Sequence, residues 1–281
     1  MDKITLNANA KINLTLDITG RRDDGYHFVS MIMQSVDLCD VVEIERAEEI
    51  SIVADSSEIP TDEKNIAFKA AKLFFENYDI NGGAKIKINK NIPVCAGLAG
   101  GSTDAAAVLK GLNELYETKK SREELMELGL KIGADVPYCI MGKTALAEGI
   151  GEKLTEIAPF KDVIICLAKP NFPVSTPQAY AKIDSKPLLK HPDNEKVIEF
   201  IKNGNLKGVC GEMVNVFEEV MKGEHPEIEE IKDVMMRCGA LGALMSGSGP
   251  SVYGVFENIA DAKKAESILK EKMFCTVTKT V

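Results

Sequence analysis

Tryptophan is absent from this chain, and histidine occurs only at His27, His191 and His225. No histidines and cysteines stand at ligand spacing, so a zinc or haem site has no support and any metal is expected on oxygen ligands. The seven cysteines (Cys39, Cys95, Cys139, Cys166, Cys210, Cys238, Cys275) are odd in number and form no Cys-x-x-Cys pair. That suits reduced thiols rather than a disulfide framework. Long apolar runs are missing as well. The longest covers residues 163–168, far short of the ~20 needed to cross a bilayer, and the N-terminus lacks a charged-then-apolar signal pattern. A cytoplasmic protein with no membrane partner is expected. Basic residues are in deficit, 34 Lys and Arg against 43 Asp and Glu for a net charge of −9. Such a field repels the phosphate backbone of nucleic acids, so nucleic acid is not an expected partner. What remains is an ordinary globular composition, 45% hydrophobic and 27% charged over 281 residues. At about 150 residues per domain this means one large domain or two.

Apolar residues alternate at Ile12, Leu14, Leu16 and Ile18, the period of a half-buried strand, which puts Lys11 and Asn13 on the opposite face. Further strands are expected at 36–45, 85–88, 143–148, 163–168, near Ala243, at 251–256 and at 275–279. Helical periodicity marks 65–78, with Ile66, Ala70, Leu73 and Phe74 on one face, and a helix from about Ala105 to Leu115 with Ser102, Thr103 and Asp104 as cap formers. Ser121 and Glu124 have capping-box spacing for a helix closing near Gly133. Helices are also expected at 194–202, 226–238 and 260–272, and an irregular connection at 169–177. Mixed elements without strict βαβ alternation argue α+β, with a soft boundary between 155 and 165.

The segment Pro93-Val94-Cys95-Ala96-Gly97-Leu98-Ala99-Gly100-Gly101-Ser102-Thr103-Asp104 is the most informative. Its glycines allow close backbone approach, its N–H groups and the following helix form an anion cradle, and Ser102 and Thr103 offer hydroxyls to phosphate or Mg²⁺. A tight turn before a buried alanine-rich helix fits the same residues. Other phosphate loops fail: Gly142-Lys143-Thr144 resembles the end of a Walker A motif, but the required earlier glycine is Pro137, and Gly-x-Gly-x-x-Gly is absent. A second cluster, Ser246-Gly247-Ser248-Gly249-Pro250-Ser251, is weak evidence alone. By default Asp135 is a helix N-cap and Lys11 a solvated charge. Tyr26-His27, after Asp23-Asp24-Gly25, fits a turn before a strand, yet an aromatic beside a polar ring also suits a nucleobase.

Three segments in this order, Ala10-Lys11-Ile12-Asn13, the 93–106 glycine loop and Gly247-Ser248-Gly249-Pro250, make the chain resemble the GHMP kinases. Within that family, Thr19-Gly20-Arg21-Arg22-Asp23-Asp24-Gly25-Tyr26-His27, Gly133-Ala134-Asp135-Val136-Pro137 and residues 144–149 are most similar to the member acting on cytidine diphosphate-linked methylerythritol. The resemblance implies an α+β, two-domain GHMP kinase fold: a ribosomal protein S5 domain 2-like N-terminal domain (1–160) and an α+β C-terminal domain (161–281), with substrates in the cleft between them. It implies ATP as co-substrate with Mg²⁺, and Asp135 as catalytic base with Lys11 beside it. A cation there favours the carboxylate and steadies charge on the accepting oxygen. Residues 93–103 would hold ATP phosphates, Ser102 or Thr103 the metal, and Asn65 the nucleoside. For the acceptor, His27 would read the cytosine edge between Tyr26 and Tyr180, with Asn13 on the methylerythritol and Thr176 with Pro177 in the adjoining loop. Gly247, Ser248 and Gly249 would lie near the cleft. Cys95 and Ala99 stand where the family often has glycine, so the backbone there must avoid positive φ or accept strain. Another small-alcohol kinase of the homoserine or mevalonate type, or a silent nucleotide sensor, is the alternative. A monomer or a homodimer fits equally.

Overall fold

The structure, a computed structural model, describes residues 2–185, 188–221 and 223–281. The chain divides into two compact units, neither continuous in sequence. Unit 1 takes the residues up to Ala10, Leu38–Val94 and Ala99–Gly142; unit 2 takes Lys11–Asp37, Cys95–Leu98 and Lys143–Val281.

Two long strands, β1 (Lys3–Arg21) and β2 (His27–Ala47), pair with each other and supply residues to both units. Both are far longer than the alternation at 12–18 and the apolar stretch at 36–45 suggest. In unit 1, β3 (Ser51–Ala54) is followed by α1 (Ile66–Asn77) and β4 (Gly83–Asn89). Residues Val41 to Ala47 of β2 pair antiparallel with β4, which pairs in parallel with β3. Ile44, Ile86 and Ile88 are fully buried on this sheet. Helix α1 buries Ala67, Ala70, Ala71, Phe74 and Phe75, a face rotated slightly from the expected one. It packs against α2 (Gly100–Leu115), whose small Ala105, Ala106 and Ala107 allow the close approach. α3 (Arg122–Leu130) carries the capping box read from Ser121 and Glu124, with both reciprocal hydrogen bonds present, and the short α4 (Val136–Met141) packs on α2 and α3.

Unit 2 begins its own strands with β5 (Thr144–Gly149) and β6 (Lys153–Glu156); β5 pairs antiparallel with Val29–Gln34 of β2. β7 (Ile164–Lys169) leads to α5 (Thr176–Ile183), α6 (Asn194–Lys202), α7 (Leu206–Glu212), α8 (Phe217–Met221) and α9 (Pro226–Arg237). β8 (Gly242–Met245), β9 (Val252–Phe256), α10 (Ile259–Leu269) and β10 (Phe274–Lys279) complete it. β10, β7, β9 and β8 form, in that order, an antiparallel sheet on which α9 and α10 pack. Every residue of β9 is buried, which is why it shows an unbroken apolar run. The stretch expected to be irregular ends earlier than read, because α5 starts at Thr176 with Pro177 in its first turn, where a missing N–H costs no hydrogen bond. Among the described residues no helix is long and apolar enough to cross a membrane.

The sheet holds β1 through one phenol. Tyr253, fully buried on β9, donates from its hydroxyl to the Asn13 carbonyl at 2.8 Å. Removing it strands that carbonyl, so Tyr253→Phe should lower stability by about 1–2 kcal/mol in chemical denaturation; an unchanged midpoint would show that the bond does not matter.

Candidate active site

β1 carries a row of polar residues, Lys11, Asn13, Thr15 and Asp17, alternating with its apolar ones, and all four are buried. This corrects the default reading of Lys11 as a solvated charge: it is 5% exposed, and its ammonium donates to Asn13 Oδ1 at 2.9 Å. The Asn13 amide faces Met31 Sδ at 3.2 Å. Thr15 donates to Asn194 Oδ1 at 2.5 Å, and Asp17 pairs with His191 Nδ1 at 2.7 Å. The polar alternation from 11 to 17 was a visible signal for this row.

Three segments that are distant in the sequence meet within unit 2. Lys11 N donates to Leu98 O at 3.1 Å, and Ser246 Oγ donates to Gly97 O at 3.0 Å. A Cβ on Gly97, at φ +73°, would stand 2.2 Å from the Ser246 carbonyl oxygen, so only glycine permits this backbone contact. Gly247, at φ +58°, packs reciprocally, its Cβ position 3.0 Å from Gly97 O and 3.4 Å from Lys11 Nζ. Asn215, missed in the sequence, braces the turn. Its amide donates to Met245 O and Gly247 O at 2.7 and 2.8 Å while its Oδ1 accepts from Phe217 N. Ser248 Oγ lies 2.9 Å from Thr176 Oγ1, which joins the glycine turn to α5.

On α5, the Tyr180 ring stacks on His27 (4.8 Å between centroids) and meets Phe217 edge-on. His27 Nε2 lies 2.7 Å from Asp184 Oδ1. That hydrogen bond, with Arg21 nearby, holds the Asp184 carboxyl below its usual range. Tyr26 is 61% exposed.

The remaining candidates belong to unit 1, except Cys95, which belongs to unit 2. Cys95 (φ +52°) and Ala99 (φ +59°) accept the strain of left-handed backbone. α2 starts at Gly100, with Ala99 at the N-cap; Ser102, Thr103 and Asp104 are therefore inside its first turns and do not cap it, contrary to expectation. Thr103 Oγ1 donates to Asn9 O at 2.8 Å. Asn65 caps α1, accepting from Ala67 N and donating to Pro60 O. Asp135 occupies the N-cap position of α4, but its side chain makes no capping bond. Asp40, Lys90 and Asp104 form a buried ion cluster no sequence pattern announced, since its members are 14 to 64 positions apart. Burial, opposed by Lys90 and aided by Asp40, pushes the Asp104 carboxyl up to about 8.

Residues 65–143 match the GHMP kinases N terminal domain, and residues 186–274 match the family described as GHMP kinases C terminal. The 4-diphosphocytidyl-2-C-methyl-D-erythritol kinase of Clostridium botulinum (strain Eklund 17B / Type B) is 50% identical over 270 residues, 96% of this chain and 96% of its own. The chain belongs to the GHMP kinases. The kinase of the same name from Clostridioides difficile (strain 630) is 50% identical over 97% of this GHMP kinase and 93% of its own length. A solved 4-(cytidine 5'-diphospho)-2C-methyl-D-erythritol kinase superposes with a TM-score of 0.84 at 31% identity, covering 99% of both chains. L. major mevalonate kinase, solved in complex with R-mevalonate, shares the fold at 17% identity and a TM-score of 0.76.

The GHMP kinase loop fits a polyphosphate on physical grounds. α2 has no side-chain cap and no acidic residue in its first turn, which leaves its first N–H groups and its dipole to an anion. Among the described residues no group of three or more His, Cys, Asp or Glu side chains is placed to hold a metal ion. Gly97→Ala should weaken ATP binding at least about tenfold, because its Cβ collides with rigid backbone at a positive φ. Calorimetric titration with ATP checks this, and binding within twofold of the parent would contradict it.

Proposed function

We propose that this GHMP kinase transfers the terminal phosphoryl group of ATP to the 2-hydroxyl of 4-diphosphocytidyl-2-C-methyl-D-erythritol, in the non-mevalonate route to isoprenoid precursors. The observation that carries this reading is 50% identity sustained over 96% of the chain with the Clostridium botulinum kinase of that name. ATP is the co-substrate the family implies.

Asp135 acts as the base: it takes the proton of the 2-hydroxyl as that oxygen bonds to the γ-phosphorus and the bridging oxygen departs with ADP. In support, its carboxylate is not spent on capping α4. Lys11 supplies the positive charge at the accepting oxygen; a buried ammonium with a neutral amide for partner is little screened. Residues 93–103 cradle the phosphates through backbone N–H groups, with Asn65 toward the nucleoside. Bound Mg²⁺ would neutralise phosphate charge. Ser102 is the better hydroxyl for it, since that of Thr103 is engaged by Asn9. On the acceptor, His27 reads the cytosine edge and Tyr26 and Tyr180 take its faces, Asn13 contacts the methylerythritol, and Thr176 with Gly247, Ser248 and Gly249 lines the same side. The stacked His27 and Tyr180, set by Asp184, support this assignment.

We place the domain division near residue 160, between the two family matches, and the enzyme in the cytoplasm as a monomer or homodimer without nucleic-acid or membrane partners.

Asp135→Asn should bind ATP within about twofold of the parent and lose turnover by about 10²–10⁴, the usual contribution of a general base. Full turnover in that variant would refute the base. ATP consumption measured with the cytidylated substrate, homoserine and mevalonate should respond to the first alone; a response only to another alcohol would overturn the acceptor.

A further inference from the structure

The loop that the proposed function gives to ATP is closed at both ends by one buried lysine. Lys90 stands three positions before Pro93 and Asp104 one position after Thr103. The Lys90 ammonium lies 3.1 Å from Asp104 Oδ2 and also bonds Asp40 Oδ2. Asp40 is fully buried, and its other oxygen accepts from Asn91 N at 2.6 Å and Ile92 N at 2.8 Å, fixing the backbone that enters the loop. Lys90 N donates to Asp55 Oδ1, which orients the residue from the other side. A Cβ on Gly100, the first residue of α2, would stand 3.1 Å from Lys90 Nζ, so the ammonium sits directly beneath the start of that helix.

Stability is a poor explanation for this arrangement. A cation at a helix N-terminus opposes the macrodipole, and a buried ion cluster is seldom better than apolar residues of the same volume. Asp104 Oδ1 adds to the cost, having no hydrogen-bond partner among the described residues. What such a cluster does supply, and packing does not, is direction: each bond fixes one atom of the loop stem.

We infer that Asp40, Lys90 and Asp104 are positioning residues that clamp the two ends of the 93–103 loop and hold its N–H groups in the geometry that binds ATP phosphates. The inference rests on the nucleotide reading of the loop but not on the identity of the acceptor. The clamp acts before the chemical step, so it belongs to nucleotide affinity rather than to turnover.

The test is ATP affinity by calorimetry without acceptor, together with kcat and KM for both substrates. Lys90→Met should raise the Kd and KM for ATP about tenfold, leaving kcat at saturating ATP and the KM of the acceptor within about twofold. Asp104→Leu, an apolar replacement with the same branched skeleton, should keep the melting temperature within a few degrees and also weaken ATP about tenfold. Asp104→Asn retains an acceptor for Lys90 and should restore affinity to within about twofold. Lys90→Met in the Asp104→Leu background should add less than about twofold, because one clamp is broken only once. Should Lys90→Met fail to fold, the Leu and Asn pair at 104 decides. Unchanged ATP affinity in Asp104→Leu, or a loss in Asp104→Asn equal to that in Asp104→Leu, overturns the clamp while leaving the kinase assignment standing. A parent protein that fails to bind ATP overturns both.

Discussion

Gly97 lies so near the Ser246 carbonyl that no side chain fits between them, and the arrangement of unit 2 depends on that approach. From it the constraints run outward. Leu98 accepts from the backbone of Lys11, Ser246 returns a bond to Gly97, Asn215 holds the turn from behind, and Ser248 reaches the hydroxyl of Thr176. One close backbone contact thereby relates the lysine strand, residues 95–98 of the glycine loop and the helix bearing Tyr180. None of these bonds is strong alone, at about 0.5–1.5 kcal/mol net. Their value lies in fixing positions to fractions of an ångström, which is what phosphoryl transfer demands of a protein.

Two buried lysines show opposite ways of keeping a charge in an interior. Lys90 is held by the carboxyl groups of Asp40 and Asp104, so its charge is met close by and its bonds act as struts. Lys11 has a neutral amide as its hydrogen-bond partner, and its charge stays available to a ligand. An acidic chain of net charge −9 can thus bind an anion without a basic surface. The local cation and the backbone N–H groups act over a few ångströms, whereas the charges behind the net value are spread over the surface and are screened beyond a Debye length of about 8–10 Å.

Elements with strong local signals were legible from the sequence: the capping box at Ser121, the amphipathic α1, the apolar β9 and the two glycine clusters. The length of β1 and β2 was not, because long strands buried unevenly lose their alternation. The start of α2 was misplaced by five residues since Ser102, Thr103 and Asp104 look like caps, while the true N-cap is Ala99 in a left-handed conformation, for which alanine carries no signal. Lys11 looked solvated because residue type is a weak guide to burial when a partner amide sits two positions along. Asp40, Lys90, Asp104 and Asn215 escaped because ion clusters and buried carbonyl braces are made by the fold and leave no periodicity behind.

The absence of tryptophan gains an optical meaning once the tyrosines are placed. All near-ultraviolet emission belongs to six phenols. Tyr138 and Tyr253 are buried, and Tyr78 and Tyr116 each lie under a cation. Only Tyr26 and Tyr180 belong to the proposed cytosine cluster. On the proposed acceptor mode, a pyrimidine settling between them would quench two emitters of the six, which would make tyrosine emission a label-free reporter for that acceptor.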